Sequence, residues 1–149
     1  MKGPSAFRRK TSNIRVMSRH PAIFLYTLLI LAVFGAGVAR GQEVAAPPSS
    51  ELQTRVEALL ESGPFEVQGA HIAYPNVIYA FYSQRAFRPA WTPARASELR
   101  RALKDSEADG LDPRDYHLAI LEQLSPAMPA FEILHTDALL RIADHLLYG

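Results

Sequence analysis

The sequence predicts an all-α fold, a bundle of short capped helices preceded by an N-terminal signal or anchor helix. Apolar residues recur at helical spacing, cap residues and prolines stand where those runs begin, and alternating strand patterns are almost absent. Eleven prolines against eight glycines in 149 residues favour punctuated short elements over one long coil. With 48% apolar and 21% charged residues, a packed core is within reach and wholesale disorder is excluded.

The first element is the leader. Residues 22–39, AIFLYTLLILAVFGAGVA, follow a basic flank and end in small residues, the layout of a secretory signal. Small residues permit cleavage after Ala39 or after Gly41. Uncleaved, the stretch spans roughly 27 Å as a helix, close to the hydrocarbon thickness of a bilayer. The basic residues 2–19 then stay cytoplasmic. Either way the rest of the chain is exported. Counted from Met17 rather than Met1 the leader is more compact, so both starts are open. Residues 1–41 thus form a basic n-region with a signal or anchor, 42–50 a Pro/Ser linker, and 51–149 the helical domain.

In that domain, Ser50 with Gln53 makes a capping-box pattern, and Leu52, Val56, Leu59 and Leu60 share a helical face. Gly63 and Pro64 stop the helix, and residues 64–74 show no convincing period. Pro75 starts a second helix with Val77, Ile78, Phe81 and Tyr82 on one face, bounded by Pro89. Thr92 and Pro93 form an N-cap and first helical position; Leu99, Ala102 and Leu103 follow, and Gly110 closes the helix with Leu111 beside it. Asp112-Pro113-Arg114-Asp115 restarts a short helix carrying Leu118, Leu121 and Leu124. A last helix runs from about Phe131 to Tyr148, with Leu139, Ile142, Ala143 and Leu146 facing inward.

Charge and chemistry exclude several function classes. Seven basic and no acidic residues precede Glu43, whereas nine basic against fifteen acidic follow, leaving the exported part at −6. Nucleic-acid binding through Arg85, Arg88, Arg95, Arg100, Arg101 and Lys104 is therefore disfavoured. The absence of cysteine removes disulfides, thiolate metal sites and a thiol nucleophile. His135 and His145 sit about 280° apart on the last helix and cannot share a metal. Asp137, Arg141 and Asp144 have the spacing of a solvated, salt-bridged face. The acidic run Asp105 to Asp115 lacks the closing glutamate of a calcium loop. A histidine–carboxylate hydrolase has no spacing in its favour. No metal or cofactor is expected, and no catalytic residue is assigned.

Phe81-Tyr82, Arg85, Pro89-Ala90-Trp91 and the block Gly110-Leu111-Asp112-Pro113-Arg114-Asp115-Tyr116-His117 are the most distinctive segments. Over roughly residues 52–149 the chain resembles the N-terminal scaffold domain of the large bacterial murein L,D-transpeptidases. The resemblance implies a part of the cell-wall machinery that is not an enzyme on its own, since the family nucleophile is a cysteine. It implies partners among the other domains of such an enzyme or peptidoglycan, and the inner membrane through residues 22–39 if these are uncleaved. Residues 42–149 would then lie in the periplasm. It also implies a chain stopping short of the family's peptidoglycan-binding and catalytic domains, with the last helix partly uncovered. The alternative is a free-standing periplasmic interaction module for a cell-wall enzyme or murein. Physically the shared residues read as structural: Trp91 a core anchor, Gly110 a left-handed cap, Tyr116 a packed ring with a bonded hydroxyl.

Overall fold

Prolines at first helical positions and side-chain caps set most of the element starts. The computed structural model describes residues 46–148 apart from 62 and 64; the leader, residues 1–41, and the linker as far as residue 45 lie outside the described residues. Five α-helices are present there: α1 (Ser50–Glu61), α2 (Pro75–Gln84), α3 (Pro93–Asp105), α4 (Leu118–Leu121) and α5 (Pro129–Tyr148). A hairpin of two short strands, β1 (Glu66–Val67) and β2 (Ala70–His71), joins α1 to α2. Two 3-10 turns, Ser106–Asp109 and Pro113–Tyr116, connect α3 to α4.

The fold is mostly helical, and the hairpin corrects the all-α expectation. Gln68 and Gly69 both have positive φ, 53° and 75°, so the two-residue loop twists with the strands it joins. Strands of two residues are too short to leave a period in the sequence. Phe65, Val67, Ala70 and Ile72 turn toward the core, and Glu66 and His71 turn out.

Helix α1 is capped one residue earlier than the sequence suggests. The Ser49 hydroxyl accepts from Leu52 N at 3.2 Å, and Gln53 bonds Glu57 instead of closing a capping box. Leu52, Val56 and Leu59 are buried, but Leu60 is 42% exposed. In α2, Ile78 and Tyr82 are buried while Val77, expected on the same face, is 44% exposed. The cap of α3 is as expected: Thr92 Oγ1 accepts from Arg95 N, with Pro93 next. A 3-10 turn then carries the chain to Gly110, whose φ of 85° is the left-handed stop. Asp112 caps the second 3-10 turn by accepting from Arg114 N, and His117 itself turns left-handed (φ 60°) before α4.

Helix α5 is the central element. It packs against α1, α2, α3, α4, β1 and the Pro113–Tyr116 turn. Every residue from Ala130 to Leu139 is buried, so the helix has no solvent face over three turns. Leu139 and Ile142 are fully covered and Leu146 half covered; only Leu147 and Tyr148, 65% and 83% exposed, face solvent among its large apolar residues. The expectation of an uncovered apolar face is therefore corrected. Each fully buried leucine or isoleucine here contributes about 1.5–3 kcal/mol. Among the described residues no helix is long and apolar enough to cross a membrane.

Candidate functional site

Burying all sides of α5 also buries its polar residues. Glu132, His135, Thr136 and Asp137 are at most 5% exposed, and each has partners on other segments. The Glu132 carboxylate accepts from Ala90 N at 2.7 Å, Trp91 N at 3.3 Å and the Tyr82 hydroxyl at 2.9 Å. Trp91 Nε1 donates to Thr136 Oγ1 at 2.9 Å, and Tyr82 and Thr136 hydroxyls touch at the same distance. Burial pushes the Glu132 carboxyl above its ordinary value, while the Ala90 N–H and Tyr82 hydroxyl pull it back. Burial and the neighbouring Glu132 charge raise the Tyr82 phenol well above its own.

One turn along, Asp137 gathers a second set of donors. Its Oδ1 accepts from Ala73 N at 2.9 Å and Tyr74 N at 3.3 Å. Its Oδ2 accepts from His117 Nε2 at 3.0 Å and Arg141 Nε at 2.6 Å. Arg141 also donates to His71 O at 2.6 Å, tying α5 to β2. Burial alone would raise the Asp137 carboxyl; the bonds from His117 and Arg141 outweigh it and hold the carboxyl below its ordinary value. Asp137 is therefore no part of a solvated face, which corrects the sequence reading. The i, i+4 spacing of Asp137 and Arg141 looks the same whether the face meets water or loops from elsewhere in the chain.

His135 makes a third contact. Its Nδ1 donates to Phe131 O at 2.7 Å, leaving Nε2 to accept from Arg100 Nη1 at 3.1 Å. Burial, with the Arg100 charge adding to it, lowers its pKa to about 4, so the ring is neutral at pH 7. Tyr116, fully buried, bonds His145 Nδ1 at 2.7 Å through its hydroxyl.

The sequence-predicted residues divide between these clusters and the turns that present them. Tyr82, Trp91 and His117 are direct members of the locks on α5. Phe81 and Arg85 act behind them: the Arg85 guanidinium stands 5.1 Å over the Phe81 ring and bonds the carbonyls of Arg88 and Pro89. That clamp fixes the loop delivering Ala90 N and Trp91 N to Glu132. It also restrains Ala86 and Phe87, both left-handed (φ 54° and 53°) at a cost of about 1–3 kcal/mol each. Gly110, Leu111, Asp112 and Pro113 turn the chain, and Tyr116 plants the turn on α5. Glu132, Thr136, Asp137, His135, Arg100 and Arg141 were missed. Their signal was the run Glu132-x-x-His135-Thr136-Asp137 inside an otherwise apolar helix, too polar for a core face unless partners come to meet it.

Chemically these clusters restrain α5 through donors that arrive from separate segments. His117 and Asp137 are placed like a base and its orienting acid, a pairing across 20 residues that no local spacing signals. Yet no hydroxyl among the described residues bonds His117, and the Asp137 oxygens are fully engaged. No buried side-chain nitrogen or oxygen among the described residues lacks a partner. Among them no group of histidines and carboxylates has the arrangement to hold a metal ion. One concave surface lies away from these clusters: a groove of about 370 Å³ between α1, β1 and the start of α5. No curated protein and no solved structure matches the chain. Residues 76–149, which hold the α5 side of all three locks but not the Ala73 and Tyr74 amides that bind Asp137, match a protein-family model described as a scaffold domain.

Proposed function

We propose that the chain is the non-catalytic scaffold portion of an exported, peptidoglycan-remodelling L,D-transpeptidase-like protein. One observation carries the reading: the scaffold-domain match covers the segments by which the chain resembles those enzymes, Phe81 to Trp91 and Gly110 to His117. The engagement of those side chains in holding the fold supports a framework role. With no cysteine in 149 residues, the chain lacks the family nucleophile and performs no cross-linking alone. Its basic leader and apolar residues 22–39 direct it to the periplasm, or to the inner membrane with residues 42–149 outside. Its partners are the other domains of a cell-wall transpeptidase or peptidoglycan itself, not nucleic acid.

Two measurements test this. A reporter active only in the periplasm, fused after Gly149, should report export; activity confined to a cytoplasmic reporter overturns the location. Co-expressed with a transpeptidase catalytic portion deprived of its own scaffold, the full chain should restore L,D-cross-links in digested murein. Unchanged cross-linking overturns the scaffold role. A free-standing interaction module is the second reading, favoured by the cover that Leu139 and Ile142 of α5 receive within the chain. That module would co-sediment with murein or with an intact transpeptidase and leave the deprived catalytic portion inactive.

A further inference from the structure

The groove beside β1 exposes main chain as well as side chains. Four successive residues, Phe65 to Gln68, line it, which a strand can do only by presenting its edge. Hairpin geometry identifies the free groups. Val67 pairs with Ala70 across the two-residue loop, and Ile72 N donates to Phe65 O at 2.7 Å. Because hydrogen-bonded and non-hydrogen-bonded pairs alternate, the Glu66–His71 pair turns its main-chain groups outward on both edges. On the β2 edge, His71 O is taken by Arg141. On the β1 edge, the Glu66 N–H and C=O face the groove, and no bond to them occurs among the described residues. Such an edge is a template for an added strand.

The side chains specify what that strand should carry. The groove floor is apolar and buried, built from Leu59, Ala130 and Ile133, and its size falls in the range of ligand sites, roughly 300–1,000 Å³. Glu66 projects from the opposite face of β1, exposed, with no ion-pair partner among the described residues. A residue paired with Glu66 places its side chain on that same solvent face, where a cation is favoured. Its two neighbours then point to the floor, where apolar groups are favoured.

We propose that this groove takes an extended segment of a partner protein, apolar–basic–apolar in pattern, as a third strand hydrogen-bonded to Glu66 of β1. The basic residue lies across from Glu66, and its two main-chain bonds are exchanged with the Glu66 N–H and C=O. This surface lies mostly outside residues 76–149, so the proposal stands or falls separately from the scaffold role.

The test uses the full chain in detergent and a fluorescein-labelled nonapeptide with Val-Lys-Val at its centre. Fluorescence anisotropy should show saturable binding, and hydrogen exchange at the Glu66 amide should slow when the peptide is present. N-methylation of the central lysine should weaken binding about tenfold, through the lost main-chain bond and the added bulk. Glu66→Lys should weaken it about fivefold and shift preference to a Val-Glu-Val peptide by a similar factor. Glu66→Gln, neutral at an exposed position, checks that the loss follows charge and not unfolding. No binding, or binding indifferent to N-methylation, overturns the strand edge; indifference to Glu66→Lys overturns the basic residue. Tighter binding of a murein tetrapeptide, or a chain that dimerises through the groove and ignores the nonapeptide, overturns the choice of occupant.

Discussion

Acidification should unfold this domain by way of His135 before the carboxylate Asp137 contributes. The ring is fully buried, with its folded pKa lowered from 6.5 to about 4 by burial and by the Arg100 charge. A base whose folded pKa is depressed is held neutral in the native state while the unfolded chain takes up its proton. Its contribution is therefore complete above pH 6.5 and is lost as pH falls toward 4. A difference of about 2.5 units corresponds to roughly 3 kcal/mol, of which about 2 kcal/mol is gone by pH 5. That is a large share of the 5–15 kcal/mol typical of a whole domain. Asp137, held below its ordinary value, loses its contribution only below about pH 4. Glu132 acts with the opposite sign. Its raised carboxyl takes up a proton in the folded state first, so acid relieves its burial and offsets part of the His135 loss.

A difference measurement isolates His135 from Glu132. Trp91 is the only tryptophan and is buried against Thr136, so its emission reports unfolding of this region. Urea unfolding of the full chain and of His135→Gln should be followed at pH 7, 6, 5 and 4. Glutamine leaves the Phe131 carbonyl without its donor, so the variant starts about 1–2 kcal/mol less stable at pH 7. The gap should close as pH falls, reverse by about pH 5 and stand clearly inverted at pH 4, because only the parent carries the histidine penalty. Parallel profiles, with a constant gap from pH 7 to pH 4, would refute the buried neutral ring.

Three further substitutions probe the other locks. Asp137→Asn puts an amide N–H where either Arg141 and His117 or the Ala73 and Tyr74 amides now donate, and should cost about 3 kcal/mol in urea unfolding. Glu132→Gln should cost about 2 kcal/mol and shift Trp91 emission, since the two loop amides and the Tyr82 hydroxyl lose a charged acceptor. Gly110→Ala meets no atom within 4 Å, so its cost should be the backbone term alone, about 1 kcal/mol, with Gly110→Asn recovering part of it. A fall above about 3 kcal/mol for Gly110→Ala would mean that packing, not φ, selects the glycine.

What was legible in the sequence depended on how local its cause is. Pro75, Pro93 and Pro113 mark true starts because a first helical position needs no N–H, a property of the residue itself. Thr92 and Asp112 were equally legible, since a cap reaches only two or three residues along. Ser49 and Ser50 are chemically alike, so the true cap of α1 was fixed by where Ser49 N meets Phe87 O, beyond any local pattern. Of the candidate residues, Trp91 and Tyr116 were readable as buried anchors from size alone. The role of Asp137 was not, because His117 and the Ala73 amide lie 20 and 64 residues away in sequence. Spacing reports which side chains share a face, not what that face meets.

That distinction bears on why a central helix should carry so many buried polar groups. Over Ala130–Leu139 the helix is buried on every side, so burial as such does not select one rotation of α5 about its axis. A slip of one residue turns the helix by about 100°. Apolar contacts would be lost and partly remade; the polar ones would not. The Ala90 and Trp91 amides, the Tyr82 hydroxyl and the Trp91 indole converge on Glu132 and Thr136, while the Ala73 and Tyr74 amides and His117 converge on Asp137. These donors come from separate segments and accept only one rotation. In any other, Glu132 would stay buried without its donors, at about 3–5 kcal/mol, and Asp137 would keep only Arg141, the donor on its own helix. The carboxylates thus add little net stability as pairs, and they discriminate strongly between the native register of α5 and its neighbours. The scaffold role proposed above would depend more on that discrimination than on a few kcal/mol of extra burial.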